Sequence, residues 1–149
     1  MNERYLEDLK NKVKEACKLF IDRDKQLLDL RVYESAVSHR IAVYLEGIFN
    51  DKSLNYDCEY DKRLDLPKRT LNGRGIRPDI LVHERNASSR NILAIEIKKK
   101  RKSKWDEKKL GMLTEQYGQY KYMLGVFICF PNGEPEYKWF VAGTERNMK

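Results

Sequence analysis

Cysteine and histidine are scarce in this chain. Three cysteines (Cys17, Cys58, Cys129) and two histidines (His39, His83) lie scattered over 149 residues. Disulfide frameworks and zinc sites need such residues in close groups, so neither is expected here, and a reducing cytoplasm is the expected location. Long apolar runs are also missing: no segment approaches the roughly 18 uncharged residues of a membrane span. The first eight residues are charged rather than apolar, unlike a secretory leader, and no membrane association is expected. There is no glycine-rich phosphate loop, no recognisable nucleophile motif, no internal repeat and no low-complexity linker.

What remains is enough for one domain with its own core. The formal net charge of +7 suits a phosphate-rich partner without identifying one. Over residues 3–28, Leu6, Leu9, Val13, Cys17, Phe20, Leu27 and Leu28 recur mostly at three- and four-residue steps, predicting a long amphipathic helix. After a break near residues 29–32, Val37, Ile41, Leu45 and Ile48 predict a second helix ending at Asn50-Asp51, with Glu34 in its first turn.

The period then changes to two. Leu54, Tyr56, Cys58 and Tyr60 alternate with polar residues, as a half-buried strand requires. Residues 67–75 read as a basic loop, and 76–83 and 91–98 as two strands joined in a hairpin by the polar stretch 84–90. Residues 104–120 are helix-compatible, while 122–130 and 137–142 read as strands separated by the turn Pro131-Asn132-Gly133. The expected class is α/β with a mixed sheet flanked by helices.

Two ionisable residues fall within these apolar strands: Asp79 precedes Ile80-Leu81-Val82, and Glu96 sits inside Ile92-Leu93-Ala94-Ile95-Glu96-Ile97. A buried carboxylate needs a compensating cation or hydrogen-bond network. Alternation puts Glu96 and Lys98 on one face, and an antiparallel hairpin would bring Asp79 alongside them. Pro78, lacking an N–H, predicts that the ladder opens there. A divalent cation would fit between the carboxylates, and oxygen ligands alone favour Mg²⁺, with Mn²⁺ as a substitute.

Pro78-Asp79 followed in the next strand by Glu96-Ile97-Lys98 resembles the PD-(D/E)XK nuclease superfamily, the restriction endonuclease-like proteins, in an uncharacterised prokaryotic branch. The resemblance spans residues 33–130 and implies a core order αβββαβ, here with an extra N-terminal helix and a C-terminal strand. It implies that Asp79 and Glu96 ligate the metal, with the Ile97 carbonyl and Glu34 completing the set. Lys98 would orient the attacking water. Asp106, Lys109 and Leu110 are similar to a pattern in such prokaryotic members, and Gln116 with Tyr120 is similar to a helix motif in others. The implied activity is Mg²⁺-dependent phosphodiester hydrolysis, DNA ahead of RNA, in defence or repair, with a homodimer or partner subunit as the assembly.

The run from Lys98 to Lys104, including Lys99 and Lys100, would grip phosphates or form a solvated loop. Arg69, Arg74 and Arg77 would serve likewise, and Lys109 and Gln116 complete the candidate nucleic-acid contacts. Glu34 also suits a purely structural role, since carboxylates are favoured in the first turn of any helix. The alternative function is a catalytically silent nuclease-fold module that holds nucleic acid or a protein partner.

Overall fold

The computed structural model describes residues 2–30, 32–60, 62–63, 66–67, 75–85, 87 and 90–147. Helix α1 (Glu3–Asp24) begins where the Asn2 side chain accepts the Arg4 N–H at 2.9 Å, satisfying one of the donors a helix start leaves free. Leu6, Leu9, Val13, Ala16, Cys17 and Phe20 form its buried stripe. The expected continuation to residue 28 is interrupted at Lys25, and a short α2 (Gln26–Asp29) follows. Around this break Leu28 N–H bonds back to Lys25 O at 3.0 Å, a tighter turn that sets Leu28 in the core. Helix α3 (Glu34–Phe49) buries Val37, Ile41 and Leu45 and stops at left-handed Asn50, whose N–H closes on Glu46 O.

The strands are β1 (Asn55–Cys58), β2 (Lys62–Arg63), β3 (Leu66–Pro67), β4 (Ile80–His83), β5 (Asn91–Lys98), β6 (Leu124–Cys129), β7 (Glu136–Val141) and β8 (Thr144–Arg146). Six of them form one mixed sheet in the order β1-β4-β5-β6-β7-β8, in which only β5 and β6 run parallel. That pair needs a crossover, supplied by α4 (Lys104–Thr114). The β4–β5 hairpin and the Gly133 turn, at φ 80°, fall where the sequence puts them.

Several boundaries differ from expectation. Alternation carried the first strand from Leu54 to Tyr60, but pairing covers only Asn55–Cys58. The segment read as loop from Pro67 onward begins as a strand residue, Leu66–Pro67 pairing with Lys62–Arg63 in a ribbon too short to show a period. The strand expected from residue 76 starts at Ile80, after Pro78 has removed a ladder donor. The helix expected to residue 120 ends at Thr114, because Tyr122 N–H bonds Leu113 O at 2.8 Å and the chain must turn there to enter β6. After β7, the left-handed pair Ala142-Gly143 adds the further strand β8.

Helices α1 and α3 cover one face of the sheet through Ile80, Val82, Leu93, Ile95, Ile97, Val126 and Ile128. Helix α4 covers the other through Leu110 and Leu113 against Leu81, Ala94 and Phe127. A side chain at Gly125 would begin 3.0 Å from the Thr114 methyl, so this glycine sets how closely α4 approaches β6. With both faces covered, β5 is buried from Asn91 through Ile97. A charged group on its α4 side must therefore find its partners inside the protein.

Candidate active site

The β4–β5 register pairs Ile80 with Ile95, so the next position brings Asp79 opposite Glu96. Asp79 lies at a bend just before the strand rather than within it. Its side chain supplies an acceptor where strand pairing has stopped: Oδ2 accepts the Ile97 N–H at 2.7 Å, while its carbonyl accepts the Glu59 N–H at 3.1 Å. Ile97 thus enters the site through its amide.

Glu96 is 1% exposed and points to the face covered by α4. Its partner there is Lys109, whose Nζ lies 3.1 Å from Glu96 Oε1 and 3.0 Å from Asp106 Oδ1. Lys98 shares the face, as alternation requires, but its ammonium goes elsewhere, 3.5 Å from Glu34 Oε1 and 3.6 Å from Asp106 Oδ2. Asp106 is placed by the helix start, where the Ser103 hydroxyl accepts its N–H at 3.3 Å.

Glu34, the first residue of α3, accepts the Lys99 N–H at 2.8 Å. The Lys99 ammonium donates to the carbonyls of Leu30 and Val32 at 2.9 and 3.0 Å, tying the end of β5 to the start of α3. Two helix starts therefore converge on the end of β5, each carrying a carboxylate where the helix dipole favours one.

Four carboxylates, Glu34, Asp79, Glu96 and Asp106, face the two ammoniums of Lys98 and Lys109. Burial, then the Asp79 charge, pushes Glu96 well above the ordinary carboxylate range, against the pull of Lys109. Burial also raises Asp79, although the Ile97 amide and Glu96 oppose it. Burial works to lower Lys98 and Lys109, but their carboxylate neighbours, Asp106 and Glu34 for the first and Glu96 and Asp106 for the second, hold both above the usual lysine range. Glu96 Oε1 and Asp106 Oδ2 are buried without a hydrogen bond: each has an ammonium at ion-pair range but not in hydrogen-bond alignment.

Among the described residues no three His, Cys, Asp or Glu side chains gather as a ready-made metal cluster. Glu34 is engaged by Lys98 and Lys99 rather than joined to Asp79 and Glu96. The remaining pair still fits a hard cation: two adjacent carboxylates, one with an unbonded buried oxygen, match an ion such as Mg²⁺ that binds one or two carboxylates and keeps several waters.

Of the expected nucleic-acid contacts, Arg77 and Lys100 are exposed, beside the start of β4 and the end of β5 respectively. Lys99 is tied to carbonyls, and Lys109 is turned inward and 8% exposed. Gln116 lies beyond the end of α4, not on it, and its amide braces the chain reversal by donating to Thr114 O at 2.7 Å. Arg69 and Arg74 lie outside the described residues. The pairing of Lys109 with Glu96 is the feature sequence reasoning missed. Its available signal was the i, i+3 spacing of Asp106 and Lys109 on a helix that follows closely after Glu96.

Compared with protein-family models, with curated proteins and with solved structures, the chain has no match in any of the three.

Proposed function

We propose that this protein is a metal-dependent nuclease of the PD-(D/E)XK type that hydrolyses phosphodiester bonds, with DNA ahead of RNA as substrate. The observation that carries this reading is the pairing of half-buried Asp79 with buried Glu96 where the β4–β5 ladder opens, with Lys98 two residues beyond Glu96 on the same face. The element order is a support for it: after α3, which begins with Glu34, come the antiparallel strands β1, β4 and β5, with the β2–β3 ribbon inserted after β1, then the crossover α4 and the parallel strand β6, and an αβββαβ core would use these without the ribbon.

Asp79 and Glu96 would hold Mg²⁺ or Mn²⁺, with the Ile97 carbonyl as a backbone ligand and Glu34 acting through Lys98. When bound, the ion would polarise the phosphodiester and offset its developing charge. Lys98, partly exposed and held between Glu34 and Asp106, would present its ammonium to the attacking water. Arg77 and Lys100 would hold flanking phosphates, a contribution that weakens with salt. The edge strands β1 and β8 leave room for a homodimer or a partner subunit.

A second reading, a catalytically silent module holding nucleic acid or a protein, draws on the Lys109 ammonium beside Glu96, which gives that carboxylate a counter-charge without any metal. The deciding assay is cleavage of supercoiled, linear and single-stranded DNA, with an RNA control, in Mg²⁺, Mn²⁺ and EDTA. Wild type should cut only with metal, and Lys98→Ala and Glu96→Ala, verified as folded, should not. Absence of cutting, or cutting indifferent to both substitutions, overturns the nuclease reading in favour of the module.

A further inference from the structure

Lys109 does not behave like a surface lysine on a basic protein. It projects from α4, and its ammonium lies between two buried carboxylates, 3.1 Å from Glu96 Oε1 and 3.0 Å from Asp106 Oδ1. Those residues are 1% and 5% exposed, and Lys109 itself 8%. The Glu96 oxygen it faces has no hydrogen bond, so the ammonium charge is held next to an acceptor whose lone pairs are not fully used. Glu96 is also the carboxylate across from Asp79, the other half of the cation-binding pair.

We propose that Lys109 is a built-in counter-cation that competes with the divalent ion for Glu96, so that metal entry requires its ammonium to leave the Glu96–Asp106 cleft. This rests on the assignment of Asp79 and Glu96 as metal ligands. Two cations cannot share a buried carboxylate oxygen without strong repulsion, and in a low-dielectric setting this repulsion is larger than anything a surface lysine exerts. Lysine suits the role because a single flexible stem can carry its charge either into the cleft or out to solvent. The intact protein would stay neutralised and folded without metal, and would bind it more weakly than the bare carboxylates could.

The test counts free Mn²⁺ by electron paramagnetic resonance in titrations of the intact protein at pH 8, where the proton competes least. Lys109→Met should bind Mn²⁺ at least about tenfold more tightly than wild type, whereas Lys109→Arg should not. Because Lys109→Met leaves carboxylates unpaired and can fail to fold, wild type also carries the question: acetylation of Lys109 by a brief reagent pulse, read by mass spectrometry, should rise several-fold when Mn²⁺ is added. Unchanged or weaker affinity in a folded Lys109→Met, or Lys109 acetylation that stays level or falls with metal, overturns the proposal. Glu96→Gln separates the two claims. Mn²⁺ binding that survives it overturns the ligand assignment and this inference together, while binding lost in Glu96→Gln but untouched in Lys109→Met overturns the counter-cation alone. Binding that emerges only in Lys109→Met supports the counter-cation and identifies a site silenced by its own lysine.

Discussion

Asp79 has two duties that one pair of substitutions can separate. Its carboxylate faces Glu96, and its Oδ2 also accepts the Ile97 N–H at 2.7 Å, pairing a β5 amide just beyond the last β4–β5 ladder position. Asp79→Asn removes the charge but keeps an acceptor oxygen on the same stem. Asp79→Ala removes both and leaves a buried amide without a partner, at a cost of about 1–3 kcal/mol. Both variants remove the same charge beside Glu96, so the difference between them reports the acceptor lost to the Ile97 amide. With an unfolding entropy of about 2.1 cal/mol/K per residue, 149 residues give about 0.3 kcal/mol/K, so 2 kcal/mol corresponds to a Tm lower by roughly 6 °C. Thermal unfolding followed by circular dichroism in EDTA should therefore place Asp79→Ala several degrees below Asp79→Asn, while both lose Mn²⁺ binding. If the two melt together, the Asp79 carboxylate does not support the Ile97 amide and its structural duty is refuted.

Two further outcomes follow from other clusters. Burial works to raise Asp57, but bonds from Arg85 and His83 prevail and hold it below its ordinary value of 3.8. Because the folded value lies below the unfolded one, the stabilisation is complete above pH 3.8 and disappears as pH falls through the folded value. Urea midpoints should thus show Asp57→Asn weaker by about 1–3 kcal/mol at pH 7 and level with wild type in strong acid; a gap that persists unchanged in acid refutes the assignment. Glu34→Gln retains an acceptor for the Lys99 amide and loses only the charge facing Lys98, a pair exposed enough to contribute less than about 1 kcal/mol. Its melting temperature should barely move while cleavage slows by about tenfold or more; an unchanged rate would reduce Glu34 to a helix-start residue.

Residue order made some of these features legible and left others hidden. Strand β5 was readable to its ends because an apolar run of this length, broken only by one glutamate, fits a strand covered on both faces. The position of Asp79 was readable because proline marks a ladder's opening by chemistry alone. The end of α4 was not, since residues 115–120 keep a helix-compatible composition and only the bond from Tyr122 back to Leu113 requires the turn. The partner of Glu96 was hidden for a similar reason. Alternation states which residues share a face, but Lys109 reaches Glu96 from the layer above, and Lys98, the neighbour on the strand, turns toward Glu34 and Asp106 instead. Periodicity describes single elements; contacts across layers depend on how the layers dock.

The tether formed by Lys99 bears on the order of assembly. Asp79, Glu96, Lys98, Asp106 and Lys109 lie within one hairpin and the helix after it, so their contacts need only short chain closures. Glu34 joins them by a bond across 65 residues, and Lys99 reaches Leu30 across 69. Closing such spans carries a larger entropic cost than closing the hairpin. The carboxylates and lysines around Glu96 are therefore expected to collect early in folding, and the register between the N-terminal helices and the sheet to lock afterwards. Completion of the site through Glu34 would then report that the whole domain has reached its native arrangement.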